Sequence, residues 1–491
     1  MDAAPPELAA WLPRGLRKPA RIDRPAKRNA GALVTTQSHS PLLARLRAKL
    51  AGPVIEPDDA EYEQARQVFF PVFDRRPLAI VRPLDPTEVA RVVSFAGDSG
   101  LELAVRGGGH SSAGHSASEG GLVLDLTQLK QLEIDPDRRV ARAAAGLTAG
   151  EVTSAAAAHD LAVGFGDTSS VGISGITLGG GIGYLVRKYG LTIDNLLAAE
   201  IVTADGELVR TDAEHHPDLF WAIRGGGGNF GVATRFEYRL RPLDGTAGGL
   251  LILPATDETI SSFVELAEEA PDELSAIAAV LPAPPVPFVP AEHHGRLVLL
   301  ATLFHAGPRD AGEQALAPFR ELAEPIVDLL RPMAYPEIFP PENNRPLALT
   351  RTSFVDRVDR GVAAQILDRL HASSAVMPAV QLRVLGGAMA RVPAEATAFA
   401  HRRRRIMLNV AAIYATPEET PVHVAWAAET TDALRQGDGG AYVGFLGDEG
   451  AERARAAYPG TTWDRLRAIK RRYDPDNLFR LNQNIPPAER G

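Results

Sequence analysis

The spacing of apolar and polar residues first becomes regular over residues 78–105. Residues 78–81 and 103–105 are short apolar runs that predict strands. Between them, residues 85–88 read Asp-Pro-Thr-Glu, which supplies an N-cap, a proline for the first helical turn and a capping-box acid. Apolar residues then recur at helical spacing as far as Gly100, which is placed to end the helix. The pattern predicts a βαβ-like unit.

Strand and helix signals keep alternating up to residue 240. The predicted strands are residues 122–125, 140–144 and 232–240, together with a hairpin formed by 199–203 and 207–210. One helix is predicted to begin at Thr148, with Glu151 in its first turn, and a short one at residues 218–224 after Pro217.

Residues 246–460 have longer strand-like runs, with helical segments between them. The strand-like runs are 250–254, 297–304, 380–384 and 407–415, and the helix-like segments are 258–269, 311–322 and 362–372. This pattern predicts an antiparallel sheet covered by helices. A last helix is predicted at residues 463–473, ahead of the polar stretch Asn482-Gln483-Asn484.

These elements predict an α+β protein with two main domains, residues 53–245 and 246–460, and a C-terminal segment, 461–491. Residues 1–52 are rich in Arg, Pro and Ala and only weakly periodic, so we expect an extension that is partly mobile or packed on the surface.

Composition narrows the possible functions. The chain has 491 residues with 45% hydrophobic and 23% charged side chains, which is typical of a folded enzyme. A net charge of −9 disfavours nucleic acid or an anionic membrane as partner, so a small-molecule partner fits better. Without an apolar run of about 18 residues or a secretory signal pattern, a cytoplasmic location is expected. The chain has no cysteine, which excludes disulfides, thiolate metal sites and a cysteine nucleophile.

Glycine is concentrated in a few segments at the ends of predicted elements. Three of them are residues 106–111 (Arg-Gly-Gly-Gly-His-Ser), 172–183 and 224–231. Runs of glycine let backbone N–H groups converge on phosphate oxygens, because no Cβ blocks close approach. Glycine used for tight turns and packing is the alternative for any one segment. Three segments together favour the pyrophosphate of a dinucleotide.

Other nucleotide and metal sites fit the sequence less well. Residues 226–231 match G-x-G-x-x-G but follow a predicted helix and lead into a strand, the reverse of a Rossmann fingerprint. No G-x-x-x-x-G-K-[ST] motif is present, so a P-loop is not predicted. His110 and His115 belong to no HExxH helix, and no metal site is predicted.

At this point the motifs carry a family resemblance. The segments concerned are residues 105–115, 175–195, 224–231 and 473–485. In this order they resemble the berberine bridge enzyme-like oxidases of the vanillyl-alcohol oxidase superfamily, over roughly residues 60–487. The resemblance implies an FAD-binding PCMH-type domain at 53–245, a substrate domain over the flavin ring at 246–460, and a C-terminal segment that returns to the flavin.

The resemblance also assigns candidate cofactor-binding residues. His110 matches the histidine that bonds the flavin 8α-methyl carbon. The other matching positions are Arg106, Gly107, Gly108, Gly109, Ser111, Gly114, His115, Gly166, Thr168, Gly172, Gly175, Gly179, Gly180, Gly181, Gly183, Ile201, Val202, Asn229, Asn482 and Asn484. Thr168 occupies the place where many relatives have a second flavin-linking cysteine, which implies a single histidyl link in this cysteine-free chain.

Two tyrosines are candidates for catalysis by the same resemblance. Tyr189 matches a family tyrosine near the active site, and Tyr442 starts a segment that often reads Y-x-N-Y. For each, a packed aromatic residue is the alternative. The second tyrosine of that segment is Phe445 here, which argues against ordinary carbohydrate oxidation. The basic run at residues 401–405 is interpreted mainly as a solvated face, with an anionic substrate as the alternative.

The resemblance implies an oxidase that dehydrogenates a CH–OH or CH–NH centre of a secondary metabolite, alkaloid or polyketide, with O2 returning the flavin to its oxidised form and yielding H2O2. An oxygenase or cyclase of polyketide-type biosynthesis is the alternative, and a flavin-storing protein without turnover is a third interpretation.

Overall fold

The computed structural model describes residues 40–340 and 345–489. Most of the predicted N-terminal extension, residues 1–39, therefore lies outside the described residues. Its last part contains a helix, α1 (Ser40–Arg47), which buries Leu43 and Leu46 against the first domain's core. This helix is packed rather than loosely attached, because its two leucines fall on one face.

The first half of the chain contains two main sheets and short helices. Its strands are β1 (Val54–Ile55), β2 (Ala79–Val81), β3 (Leu103–Arg106), β4 (Leu122–Asp125), β5 (Leu132–Asp135), β6 (Val140–Ala144), β7 (Leu161–Ala162), β8 (Leu196–Val202), β9 (Leu208–Asp212), β10 (Val232–Arg239) and β11 (Arg241–Pro242). Its further helices are α2 (Tyr62–Ala65), α3 (Pro86–Ser99), α4 (Ala149–Ala157), α5 (Ile173–Gly179), α6 (Val186–Tyr189) and α7 (Pro217–Ile223).

The smaller of these sheets has the order β1-β2-β4-β3, and β2, β4 and β3 are parallel. The larger has the order β5-β6-β10-β8-β9 and is antiparallel throughout. Because α3 connects two parallel strands of the first sheet, the predicted βαβ-like unit is confirmed.

The second half is built on one antiparallel sheet. Its strands are β12 (Ala247–Pro254), β13 (Leu274–Pro282), β14 (Leu297–His305), β15 (Val327–Asp328), β16 (Arg331–Pro332), β17 (Leu347–Val355), β18 (Met377–Val384) and β19 (Ile406–Tyr414). The helices that follow α7 are α8 (Asp257–Glu269), α9 (Arg309–Arg320), α10 (Arg360–His371), α11 (Gly387–Arg391), α12 (Thr420–Ala433), α13 (Ala451–Ala456) and α14 (Thr461–Tyr473).

The strands of this sheet run in the order β15-β12-β14-β13-β18-β19-β17, and β16 also pairs with β12. Helices α8, α9, α10 and α12 pack on it and share its hydrophobic core. The predicted fold class, α+β with an antiparallel sheet covered by helices, is confirmed. The domain boundaries at residues 52, 245 and 460 stay predictions.

Most of the helix caps predicted from the sequence are present in the structure. The Asp85 carboxylate accepts the Glu88 N–H, and Gly100 ends α3 with a φ of 66°. Thr148 and Glu151 form the predicted capping box of α4. Glu88 differs from expectation, because its buried carboxylate accepts N–H groups of Ala51, Gly52 and Leu84. The Glu88 carboxylate therefore bonds the chain before α3 to the helix, instead of accepting the N–H of Asp85 as a capping box requires.

The C-terminal segment is held to the first domain by a fully buried ion pair. Lys470 Nζ lies 2.5 Å from Asp474 Oδ2 and also donates to the backbone carbonyls of Asn229 and Phe479. Asp474 in turn accepts the N–H groups of Leu478 and Phe479. Burial lowers the pKa of Lys470, and Asp474 opposes that shift. The pair thereby links α14, the chain after it and the glycine-rich segment around Asn229.

We expect Lys470→Met to lower the free energy of unfolding by about 3–5 kcal/mol, because it leaves Asp474 buried without its cation. The matched control is Lys130→Met, whose partner Glu151 is 44% exposed and whose loss should cost less than about 1 kcal/mol. Urea denaturation measures both. Equal stabilities of the two variants would contradict this account of the buried pair.

Candidate functional site

A cavity of about 380 Å³ lies where the glycine-rich segments, the strand β17 and the C-terminal segment meet. Its wall contains many of the predicted residues: Gly107, Gly108, Gly109, His110, Ser111, His115, Gly166, Thr168, Gly172, Gly175, Gly179, Asn229, Tyr442 and Asn482. Residues from all three predicted glycine segments line it. The fold thus gathers into one place residues that are far apart in the sequence.

Two of the glycine segments are in direct backbone contact. A Cβ at Gly108 would lie 2.2 Å from the Gly172 nitrogen, and one at Gly107 would lie 2.2 Å from Ser174 Oγ. Any larger residue at Gly108 would push the two segments apart, since the obstacle is backbone. These glycines therefore fix the spacing of the cavity wall.

Other glycines on the wall leave space open to a ligand. A Cβ at Gly175 or Gly228 would meet no atom within 4 Å, although both residues line the cavity. Polar atoms on the same wall also lack partners among the described residues, namely Asn482 Oδ1 and Ser116 Oγ. Bare backbone beside unpaired polar atoms suits a large polar ligand, and a dinucleotide cofactor is one.

His110 is held at the wall by two neighbours. Its ring stacks on Phe69 with centroids 4.0 Å apart, and its Nε2 lies 2.7 Å from Ser170 Oγ. Burial, together with the positive charge of Arg345, lowers the pKa of His110 to about 4. The imidazole is therefore neutral at physiological pH and keeps a lone pair on one ring nitrogen.

Within the described part of the wall, Asp167 is the one acidic residue, and no lysine or arginine lines it. Its carboxylate forms an ion pair with Arg383 of β18 and accepts the Thr168 hydroxyl at 3.2 Å. The Arg383 guanidinium also lies over the Phe445 ring, 4.8 Å from its centroid. Sequence reasoning missed this group, because Asp167 and Arg383 are 216 residues apart.

Tyr442 lines the cavity, with its hydroxyl oxygen accepting the Gly181 N–H at 3.0 Å. Burial raises the pKa of Tyr442 to about 12 against the smaller opposite effect of that hydrogen bond. Its phenol therefore stays protonated at physiological pH. The bond also attaches the loop between α12 and α13 to the glycine run at 179–183, so Tyr442 has a structural role in addition to its place on the wall.

Tyr189 lies outside the wall. Its hydroxyl donates to the Pro242 carbonyl, and its ring packs in the cluster around Tyr184 and Phe304. This placement matches the packed-aromatic alternative for Tyr189.

The remaining predicted cofactor residues support the wall from behind. Arg106 donates to the carbonyls of Ser116 and Ala65 and lines a second, wider polar cavity of about 820 Å³, whose wall also includes residues 107–110. The others outside the wall of the smaller cavity are Gly114, Gly180, Gly181, Gly183, Ile201, Val202 and Asn484. Ile201 and Val202 pair with Ala233 and Val232, which do line it.

Asn229 and Asn482 belong to one hydrogen-bonded network at the tail. Asn229 donates to the carbonyls of Gly226 and Gln483, and its Oδ1 accepts the Ile485 N–H. Asn482 Nδ2 donates to the Phe479 carbonyl. The side chain of Asn229 is thus hydrogen-bonded to the tail, whereas Asn482 Oδ1 has no hydrogen-bond partner among the described residues.

The basic run at 401–405 is not simply a solvated face. His401 and Arg402 are buried, and Arg402 forms a bidentate ion pair with Asp194 at 2.7 and 2.8 Å. The prediction of a solvated face was therefore wrong for His401 and Arg402. The local charge pattern does not reveal that Arg402 pairs with Asp194, which lies 208 residues away in the sequence.

Among residues 40–340 and 345–489, no group of three or more histidine and acidic side chains is placed to hold a metal ion. Across the same residues, no helix is both long and apolar enough to cross a membrane.

Comparison with known proteins shows the family to which the chain belongs. A family model described as "FAD binding domain" matches residues 77–212, and one described as "Berberine and berberine like" matches residues 441–486. The (R)-6-hydroxynicotine oxidase of Paenarthrobacter nicotinovorans is 31% identical over 89% of this chain and 97% of its own length. A crystal structure of 6-hydroxy-D-nicotine oxidase from Arthrobacter nicotinovorans aligns with a TM-score of 0.80 at 28% identity, covering 89% and 98% of the two chains.

A further relative matches over a shorter region. The FAD-dependent monooxygenase of Fusarium proliferatum is 36% identical over 229 residues, 46% of this chain and 43% of its own length.

The fold and the cavity define an FAD-linked oxidoreductase. Within that class, the chain belongs to the berberine bridge enzyme-like family, as the resemblance of its motifs predicted.

Gly175→Leu tests whether this cavity holds the FAD. The new side chain has room only in the cavity, so we expect a loss of at least half of the bound flavin with little change in the stability of the flavin-free protein. Gly97→Leu, on the exposed face of α3, is the control and should keep its flavin. The ratio of flavin to protein absorbance after gel filtration is the measurement. Normal flavin content in Gly175→Leu would place the cofactor elsewhere.

Proposed function

We propose that this protein is an FAD-dependent oxidase whose flavin is joined to His110 by a single histidyl bond. The observation that carries the proposal is the neutral, stacked imidazole of His110 on the wall of the cavity, with one ring nitrogen bonded to Ser170. A neutral imidazole has the lone pair that a bond to carbon requires.

The chain offers FAD a consistent set of contacts. The backbone of Gly107, Gly108, Gly109, Gly172 and Gly175 carries no side chain and suits the pyrophosphate, while Asn482 Oδ1 and Ser116 Oγ supply unpaired polar atoms. When bound, FAD supplies the redox chemistry: it accepts a hydride from a substrate carbon at N5 and returns the electrons to O2, giving H2O2.

His110 and its neighbours orient one nitrogen towards the cofactor. Ser170 holds Nε2, which assigns Nδ1 to the flavin bond, and the stacked Phe69 limits rotation of the ring. Thr168 occupies the position at which many relatives carry a second linking residue, and no cysteine is present anywhere in the chain. A single covalent bond is therefore the only one we propose.

Tyr442 is proposed as the wall residue that contacts the reacting end of the substrate. Because its pKa is raised to about 12, it acts as a hydrogen-bond donor and not as a base in its resting state. Phe445 lies beside it, with ring centroids 5.6 Å apart, and closes that side of the site with an apolar surface.

The test is turnover of small aromatic alcohols and amines by the purified yellow protein. We expect the flavin to bleach without oxygen and, in air, one H2O2 for each substrate molecule oxidised, measured with a peroxidase-coupled dye. A photoreduced protein that stays reduced in air would contradict oxidase function and favour flavin storage.

The second candidate is a flavin-dependent oxygenase or cyclase acting on a polyketide-type substrate. The partial similarity to an FAD-dependent monooxygenase supports it. Isotopically labelled O2 separates the two candidates, since an oxidase leaves the label in peroxide and an oxygenase places it in the product.

Ser170→Ala should slow covalent attachment by roughly two- to tenfold, because one hydrogen bond that orients His110 is lost. FAD is added to protein produced under flavin limitation, and the flavin retained by acid-precipitated polypeptide is followed with time. Ser112→Ala, also on the wall, is the matched control, and Ser170→Thr should restore the rate because it keeps the hydroxyl. Equal rates for Ser170→Ala and Ser112→Ala would exclude the orienting role.

A further inference from the structure

Asp167 carries the one negative charge on the cavity wall, within the part of the chain that the structure describes, and no lysine or arginine there is a wall residue. It lies in the loop between β7 and α5, and its side chain is 21% exposed. The rest of the wall is mostly glycine and apolar side chains. Ligand cavities commonly use a few polar groups on such a wall to fix the orientation of the bound molecule. The accessible carboxylate of Asp167 is placed to be one of them.

The cation that pairs with Asp167 lies behind the wall. Arg383 of β18 forms the ion pair, and its own side chain is only 3% exposed. Its Nε donates to Gln381 Oε1 at 2.9 Å, and its guanidinium lies over the Phe445 ring, 4.8 Å from the centroid. These contacts fix the guanidinium, which in turn fixes the carboxylate. Asp167 is therefore the member of the pair that a ligand in the cavity can reach.

The Asp167 carboxylate can accept more hydrogen bonds than its side-chain partners use. An ionised carboxylate offers about four lone-pair sites. Oδ2 is paired with Arg383, and Oδ1 accepts the Thr168 hydroxyl at 3.2 Å. The remaining lone pairs are acceptors, so a ligand must bring a hydrogen-bond donor to use them.

Asp167 belongs to the part of the wall where the two halves of the chain meet. Through Arg383 it is bonded to the antiparallel sheet of the second half, and Tyr442 and Phe445 line the same cavity. Burial dominates the pKa of His110 and of Tyr442, while the charge of Asp167 opposes the fall in the first and adds to the rise in the second. Asp167 is thus within electrostatic range of both residues. Because a carboxylate repels a pyrophosphate, its surroundings suit a substrate better than the phosphates.

From this placement we infer that Asp167 is a substrate-binding residue, whose carboxylate accepts a hydrogen bond from an O–H or N–H group of the substrate. The inference rests on the proposed function, in which the substrate has a CH–OH or CH–NH centre and therefore carries such a donor. A hydrogen bond to a charged acceptor is about twice as strong as one between neutral groups. Asp167 therefore orients this donor more strongly than the neutral acceptors of the wall do.

The same carboxylate disfavours ligands that have acceptors only. An ether or a ketone turns its oxygen lone pairs towards a negative charge, and a carboxylate ligand adds a second negative charge. Phe445, whose ring has no hydroxyl and lies against the Arg383 guanidinium, offers these ligands no hydrogen bond in exchange. Asp167 thus acts on specificity by attraction of donors and by repulsion of acceptors.

The experiment is isothermal titration calorimetry of the purified holoprotein with phenol, aniline and anisole. These probes share a phenyl ring, the first two carry a donor and anisole does not, and none has a CH–OH or CH–NH centre that the flavin could oxidise. We expect the unaltered protein to bind phenol or aniline roughly tenfold more tightly than anisole. Asp167→Asn should reduce this preference to about threefold or less, because a neutral amide is a weaker acceptor. The control is Asp272→Asn, whose carboxylate pairs with the exposed Arg391, and it should keep the preference.

A double variant, Asp167→Asn with Arg383→Gln, covers the case in which an unpaired Arg383 prevents folding. It should lose the preference for donors to the same extent as Asp167→Asn. Tighter binding of phenol than of aniline by the unaltered protein would identify a hydroxyl as the recognised donor, and the reverse order would identify an amine.

Equal affinities of the unaltered holoprotein for all three probes would overturn the assignment, as would a preference for donors that persists in correctly folded Asp167→Asn. Loss of flavin from that folded variant would also overturn it, since the carboxylate would then serve the cofactor. Peroxide formation from alcohols and amines is measured separately. Its failure would count against the proposed function, while the calorimetric affinities decide the role of Asp167.

Discussion

The contact between the backbones of Gly108 and Gly172 is the constraint on which the site depends. With 2.2 Å between a hypothetical Cβ and the opposing nitrogen, the two segments can approach only if neither carries a side chain. That approach brings Ser170 to His110 and leaves the bare backbone that faces the cavity. A local choice of glycine at two positions thus determines the geometry of residues 60 positions apart.

The second requirement is that the tail returns to the same place. Asn229 and the buried pair Lys470–Asp474 use their hydrogen bonds to fix the tail, so that Asn482 reaches the wall. Charges in this region are almost entirely paired internally, and the two wall histidines are neutral. The site therefore keeps a low effective dielectric, in which a few unpaired donors and acceptors have large effects on ligands.

Much of the fold could be predicted because its signals are local. The caps of α3 and α4 and the strands at 122–125 and 140–144 depend on neighbouring residues and were found. Strands β13 and β17 were missed, because β13 is rich in alanine and β17 mixes polar with apolar residues, so neither gives a strong local strand signal. Helix α12 was missed as well, since it exposes Val422 and Val424 and has no clear apolar stripe.

The candidate site, like the fold, could be predicted only where its signals are local. The glycine segments and His110 were recognisable as motifs, and the comparisons support the family that they indicate. Phe69, Ser170 and Arg383 carry no signal of their own in the sequence, because their importance comes from contacts across the fold. Tyr189, which its motif indicated as a catalytic candidate, instead donates its hydroxyl hydrogen bond to the Pro242 carbonyl.

The central claim is a single covalent bond between FAD and His110, and intact mass spectrometry after acid denaturation tests it most directly. The account predicts that the denatured polypeptide is heavier than its sequence by the mass of one FAD, and that this excess is absent from His110→Ala. Release of all flavin from the unaltered protein by acid, with a polypeptide of unmodified mass, would contradict it.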